Sequence, residues 1–288
     1  MGLTEVPDNN RLTYVFDLDG VIYRGLELQP CAREVLSALR SCGHEVRFYT
    51  NNSSMSRQSY VLKLEKLGIP TSIDELMTSA YAAALYLVEQ GAVGKTVYQI
   101  GERGITEELE AVGIHVISGD EEPEDHIDFV VVGIDRQFTY AKLTRAQQAI
   151  LSGAKFIATN MDATYPLEGG RVVPGAGGLV AAVQVASSTK PFLVGKPEVY
   201  ALNKLLESAN TPPERAVVVG DRLDTDILMG NKAGAHTVLV LTGITTLQES
   251  QAASGDMRPD RVIETLAQLM DDGDDCFEPR RSRLELVR

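Results

Sequence analysis

Cysteine is scarce in this 288-residue chain: Cys31, Cys42 and Cys276 are the whole supply. Their number is odd and no C-x-x-C occurs, which argues against a disulfide framework or a zinc knuckle. The four histidines, His44, His115, His126 and His236, are scattered with no two at metal-ligand spacing, so each is expected to be structural or exposed. No uncharged apolar run reaches the roughly 20 residues of a membrane span. The opening MGLTEVPDNN has neither a positive region nor an apolar one and does not read as a signal peptide, and the residues after Met1-Gly2 lack a myristoylation signal. A soluble, reducing, cytoplasmic setting is expected. Positive charge is also short, with 27 Lys and Arg against 40 Asp and Glu, a net charge of −13. An acidic surface repels polyanions and makes nucleic acid an unsuitable partner. It would equally repel a phosphorylated metabolite, unless a cation in the site reversed the field locally.

What the chain does have is an ordinary globular composition, 44% apolar and 23% charged, enough for a real core. Short apolar runs alternate with helical patterns. Leu12–Phe16 reads as a strand. Pro30–Cys42 reads as a helix with Val35, Leu36 and Leu39 on one face and Gly43 as the stop, Glu45–Tyr49 as a strand, and Met55–Leu67 as a helix closed by Gly68. The rhythm returns in Phe192–Val194 (strand), Glu198–Ser208 (helix), Ala216–Val219 (strand), Asp224–Lys232 (helix) and Thr237–Leu241 (strand). Nearly continuous β-branched strands between helices predict an α/β protein with a Rossmann-like, doubly wound parallel sheet. Between the halves, strands are expected at Thr96–Ile100, Phe129–Val132 and Lys155–Ala158, with helices at Thr106–Val112 and Tyr140–Leu151. Charged motifs flank this stretch, and we read residues 82–188 as an inserted α/β domain, with 1–81 and 189–288 forming a discontinuous core. The acidic-then-basic tail from Met270 reads as a solvated, partly frayed end.

Four motifs follow short apolar strands. Asp17-Leu18-Asp19-Gly20 places two acids at the carboxyl end of a buried strand, where open α/β sheets bind ligands. A calcium loop would need an oxygen ligand at Val21 and a preceding helix. Gly220-Asp221-Arg222-Leu223-Asp224-Thr225-Asp226 repeats the arrangement, although Asp224 or Thr225 also suits a helix N-cap. Carboxylates converging at about 4 Å repel by roughly 4 kcal/mol per pair at an intermediate dielectric. A divalent cation removes that cost, and a few hard oxygen ligands suit Mg²⁺. Thr50-Asn51-Asn52-Ser53 offers hydroxyl, amide and backbone donors for phosphate oxygens, or is simply a polar loop. Lys196, in Gly195-Lys196-Pro197, either points into a site or is solvated. Gly175-Ala176-Gly177-Gly178 lacks the third glycine of a dinucleotide loop, Val180 standing in its place. It is read as a helix start at the return from the insertion to the core. Tyr81, Leu85 and Tyr86 read as a packing stripe.

Taken together, these motifs resemble those of the haloacid dehalogenase superfamily of phosphatases. The similarity is to the subclass with a large C2-type cap between the second and third motifs, the NagD-like, p-nitrophenylphosphatase-like or phosphoglycolate-phosphatase-like group. Asp17 to Tyr23 resembles the first motif, Thr50-Asn51-Asn52 the second, Lys196 the third, and Gly220-Asp221-Arg222 with Thr225-Asp226 the fourth. Thr159-Asn160-Met161-Asp162, Pro166 and Pro174-Gly175-Ala176-Gly177 also resemble this subclass, and the likeness spans roughly residues 12–265. It implies a Mg²⁺-dependent phosphomonoesterase acting on small phosphorylated metabolites through an aspartyl-phosphate. In that scheme Asp17 attacks phosphorus. Asp19 protonates the leaving oxygen and then activates water, while its carbonyl helps hold Mg²⁺ with Asp17 and Asp221. Asp226 supports the site from behind, and Thr50, Asn51, Asn52 and Lys196 hold the phosphoryl group. A homodimer through the cap is a further expectation. A phosphotransferase or mutase of the same fold, and a non-catalytic phosphate sensor, are the competing readings. The presence of both Asp19 and Lys196 disfavours the sensor.

Overall fold

A computed structural model describes residues 11–119, 126–166 and 172–270. The opening stretch MGLTEVPDNN, Cys276 and the charged tail after Met270 lie outside the described residues. In chain order the strands are β1 (Thr13–Phe16), β2 (Tyr23–Arg24), β3 (Glu27–Leu28), β4 (Glu45–Thr50), β5 (Leu76–Thr78), β6 (Thr96–Ile100), β7 (His115–Ser118) and β8 (Phe129–Val132). They continue as β9 (Lys155–Ala158), β10 (Thr164–Pro166), β11 (Val172–Pro174), β12 (Phe192–Leu193), β13 (Ala216–Gly220), β14 (His236–Val240) and β15 (Arg261–Ile263). The helices are α1 (Ala32–Ser41), α2 (Arg57–Lys66), α3 (Ser79–Glu89), α4 (Arg103–Ala111), α5 (Tyr140–Leu151), α6 (Ala176–Ser187), α7 (Tyr200–Ser208), α8 (Leu228–Ala233) and α9 (Leu247–Ala252).

A six-stranded parallel sheet runs β15-β14-β13-β1-β4-β5. Every residue of β1 is buried, as a central strand covered on both faces must be. On one face, Tyr14, Phe16 and Phe48 pack with Val35, Leu36 and Leu39 of α1 and Leu64 of α2. The helical spacing of the α1 residues is what turns them inward together. The chain builds outward from β1 through β4 to β5 on one side, and from β13 through β14 to β15 on the other. This reversal leaves a crevice beyond the carboxyl ends of β1, β4 and β13.

A second parallel sheet runs β12-β9-β8-β6-β7, and β10 and β11 pair antiparallel as a separate two-stranded sheet. Tyr98, Val130, Val132, Phe156, Ala146, Ile150, Val180 and Val183 form its own apolar cluster. Two expectations change here. Phe192–Leu193 pairs with Ile157-Ala158 of β9, so it extends the second sheet rather than the first. Helix α6, which starts at Ala176 as expected, packs on α5 in the second unit and does not yet return the chain to the core. The 188/189 division therefore falls between α6 and β12, inside that unit, and 81/82 falls within α3. A shared cluster links the two sheets, with Tyr49 and Val218 from one and Val97, Phe129 and Ile157 from the other around Ala83 and Leu87 of α3. Tyr81, Leu85 and Tyr86 pack against this cluster, as their spacing predicts.

Candidate active site

The crevice beyond β1, β4 and β13 forms a partly open cleft. Asp17, Asp19, Thr50, Lys196, Asp221 and Asp226 all line it, so residues from four separate motifs meet there. Asp17 leaves β1 with its backbone N–H donating to Val219 O of β13 at 2.9 Å, which fixes the carboxylate at the sheet edge. Gly20 turns the loop at φ +91°, and a Cβ there would stand 2.7 Å from Asp221 Oδ2. The first and fourth motifs therefore pack tightly because this residue has no side chain.

Lys196 is the buried hub, 3% exposed. Its ammonium donates to Asp17 Oδ1 at 2.5 Å, Asp226 Oδ1 at 2.7 Å and Tyr49 O at 2.8 Å, which uses all three of its donors. Burial alone would lower its pKa, but Asp17 and Asp226 outweigh burial and raise it, so the lysine stays charged. Asp226 Oδ2 also accepts from Arg222 N at 3.3 Å. Asp226 thus bears on the site through its contact with Lys196.

Acids outnumber cations in the cleft. Burial pushes the Asp17 pKa well above the usual carboxylate value, Lys196 opposes this, and the negative Asp226 and Asp221 push it further up. Burial and Asp226 raise Asp221 to about 7, although Ile244 N donates to its Oδ2 at 2.8 Å. Asp19 is raised by burial and lowered by Lys63 and then Lys196. Arg222 adds little free positive charge, because Asp224 binds it at 2.9 and 3.1 Å. Such an excess of buried carboxylate calls for another cation. The Asp17 and Asp221 carboxylates and the Asp19 carbonyl are hard oxygen donors, and their environment fits a magnesium ion that completes its shell with water and substrate. Among the described residues no three Asp, Glu, His or Cys side chains form a ready metal cluster. A set of two carboxylates and one carbonyl does not require one.

In the second motif the amide side chains are taken by protein partners. Asn51 lies at the cleft, but its side chain is committed to protein partners. Its Oδ1 accepts Lys196 N at 2.8 Å, and its Nδ2 donates to Lys196 O at 3.2 Å and to both Asp162 oxygens at 3.1 and 3.2 Å. Asn52 is similarly occupied, with Oδ1 accepting Ser54 N at 2.9 Å and Nδ2 donating to the Tyr165 hydroxyl at 3.2 Å. The buried Ser53 hydroxyl meets Ile134 N and the Thr159 hydroxyl of the second unit. Thr50 lines the cleft from the same loop, its Oγ1 accepting Asn52 N at 3.1 Å.

Several cleft residues were given no site role by the sequence: Ile134, Thr164 and Tyr165 from the second unit, Ile244 after β14, and Asn160 and Asp162, which were noted only as part of a motif resembling the subclass. For Asn160 and Asp162 a signal existed, since they follow the carboxyl end of β9 as Asp17 follows β1. The Tyr165 hydroxyl, which lines the cleft, is pushed up to about 12 by burial and by nearby Asp19.

Residues 14–115 match the family model described as haloacid dehalogenase-like hydrolase, and residues 193–269 match a second model of HAD-hydrolase-like proteins. The chain is 39% identical to human glycerol-3-phosphate phosphatase over 287 residues, covering 90% of this chain and 89% of that protein. It is 38% identical to phosphoglycolate phosphatase 2 of Arabidopsis thaliana, covering 90% and 92%. The crystal structure of a glycerol phosphate phosphatase from Mycobacterium tuberculosis, in complex with magnesium, superposes with a TM-score of 0.81 at 33% identity, covering 90% of this chain and 76% of that one. With these similarities over the same span that carries the converging motifs, the chain belongs to the haloacid dehalogenase-like hydrolases, in their NagD-like phosphatase subclass.

Proposed function

We propose that this enzyme is a Mg²⁺-dependent phosphatase of small phosphate monoesters that works through a phosphoaspartate on Asp17. The observation that carries the reading is the Lys196 ammonium bridging Asp17 and Asp226 in a cleft that also holds Asp19 and Asp221. Lys196 opposes the burial that raises the Asp17 pKa, and its positive charge stands beside the place where a phosphoryl group would meet Asp17. Asp17 attacks phosphorus, and Asp19, poised by burial to hold a proton, gives it to the leaving oxygen. Asp19 then takes a proton from the water that releases phosphate. Asp17 and Asp221, with the Asp19 carbonyl, would hold the magnesium ion, which when bound supplies positive charge against the transferring oxygens.

The names of the relatives put glycerol phosphate and phosphoglycolate among the substrates to try. The unit carrying the second sheet serves in this reading as a cap that closes over the site, sheds water and places groups on the leaving moiety. A dimer through that cap and a cytoplasmic setting belong to the same proposal. Among the described residues Cys31 and Cys42 form no disulfide, and no helix is long and apolar enough to cross a membrane. The test is turnover of p-nitrophenyl phosphate with and without Mg²⁺, with acid-quenched enzyme digested to locate phosphate on Asp17. Absence of Mg²⁺-stimulated turnover sinks the phosphatase reading, and label on another residue sinks the assignment of Asp17.

A further inference from the structure

Asp162 comes from the loop after β9, in the second unit, yet its carboxylate ends on Asn51 of the first. That loop is braced. Asn160 Oδ1 accepts Asp162 N at 3.1 Å, Asn160 Nδ2 donates to Asn51 O at 2.8 Å, and Asp162 O accepts Gly177 N at 3.0 Å. Asn51 in turn grips the Lys196 peptide at both its N–H and its C=O. The packing is close enough to transmit a shift. A Cβ on Gly195 would stand 2.2 Å from Thr159 O and 2.7 Å from Asn51 Oδ1.

Building on the phosphatase reading above, we propose that Asp162 is a positioning residue for phosphoryl binding: through the Asn51 amide it fixes the Lys196 peptide and so the place of the Lys196 ammonium. The chemistry favours this direction of control. A carboxylate only accepts hydrogen bonds, so it selects the NH₂ end of the Asn51 amide and leaves Oδ1 facing Lys196 N. Burial raises the Asp162 pKa, with Arg222 and the Asn51 bonds opposing the rise, and a bond to its ionised form is stronger than a neutral one. The second unit thereby contributes to the part of the site common to every phosphate ester, and not only to the part that meets the leaving group.

The test compares Asp162→Ala, Asp162→Asn, Asn51→Ala and the Asn51→Ala/Asp162→Ala double variant, all with Mg²⁺. Activity is read as kcat and KM on p-nitrophenyl phosphate and on glycerol phosphate, and inorganic phosphate affinity is read by calorimetry. Misplacement by about an ångström costs on the order of 10²-fold in rate. Asp162→Ala is expected to lose that much in kcat, by the same factor on both esters, and to bind phosphate more weakly. Asp162→Asn keeps an acceptor oxygen and should recover most of both. The double variant should be no worse than Asn51→Ala. A loss that depends on the leaving group, additive losses, an Asn variant as poor as Ala, or unchanged phosphate affinity would each overturn the proposal. If Asp162→Ala does not fold, the isosteric Asp162→Asn against Asn51→Ala carries the comparison. Wild-type turnover tests the phosphatase reading separately, and phosphate affinity tests Asp162 without any turnover.

Discussion

Replacing Lys196 with Met removes a buried ammonium and leaves two buried carboxylates, Asp17 and Asp226, without their partner. Removing one member of a buried ion pair costs about 3–5 kcal/mol, chiefly because the remaining charge is stranded. At roughly 2–4 °C per kcal/mol for domains of comparable size, the melting temperature should fall by roughly 10 °C near neutral pH. The deficit should depend on pH. Asp17 already has a native pKa well above 3.8, and loss of Lys196, which opposes that rise, moves it higher. A native pKa above the unfolded value means that the folded state holds the proton more tightly. The penalty is therefore small near pH 4 and grows as pH rises through the native pKa. Lys196 itself, with its pKa raised above 10.5, is fully charged throughout this window and adds no pH dependence of its own. Differential scanning calorimetry of wild type and Lys196→Met at pH 5 and pH 8 measures the effect, and Asp226→Asn in the Lys196→Met background should recover part of the loss. Equal deficits at both pH values, or no recovery in the double variant, would refute the stranded-charge account.

Asp17→Asn should abolish turnover while keeping the melting temperature near wild type, since the amide retains the shape and an acceptor for Lys196; normal turnover would end the mechanism. In metal-free enzyme, Asp221 at about 7 destabilises the fold increasingly as pH rises from about 4 to about 7, by up to about 4 kcal/mol. Mg²⁺ should therefore raise the melting temperature more at pH 8 than at pH 5, and chelation should silence activity that Mg²⁺ restores. Gly195→Ala should lower kcat on the order of 10²-fold, because its Cβ would collide with Thr159 O and Asn51 Oδ1; wild-type kinetics in that variant would show that the loop has room to move. Replacing most of the second unit with a short linker should cost discrimination among esters more than turnover of p-nitrophenyl phosphate, which a substrate panel reads directly.

The alternation of buried strands with helices was legible along the chain because burial on both faces writes continuous apolar runs, and one-sided burial writes a helical period. Thr96–Ile100, Phe129–Val132, Tyr140–Leu151 and Lys155–Ala158 match those patterns residue for residue. The three-residue strands β5, β10 and β11 are too short to leave such a record. The gathering of Asp17, Asp19 and Asp221 was legible too, because in a parallel sheet every strand ends on the same side and a polar residue just past each end must arrive there; Lys196 joins them from beyond β12 of the second sheet, which that rule does not cover.

Tertiary structure alone decided the rest. Phe192–Leu193 has the same apolar character as a core strand, and only its pairing with β9 assigns it to the second sheet. Asn51 carries the donors expected of a phosphate ligand, but its hydrogen bonds go to Lys196 and to Asp162, 145 and 111 residues away in sequence. Local composition fixes which groups a residue can offer and how far it is drawn from water. Which partner takes those groups depends on backbones that meet only when the two sheets are assembled.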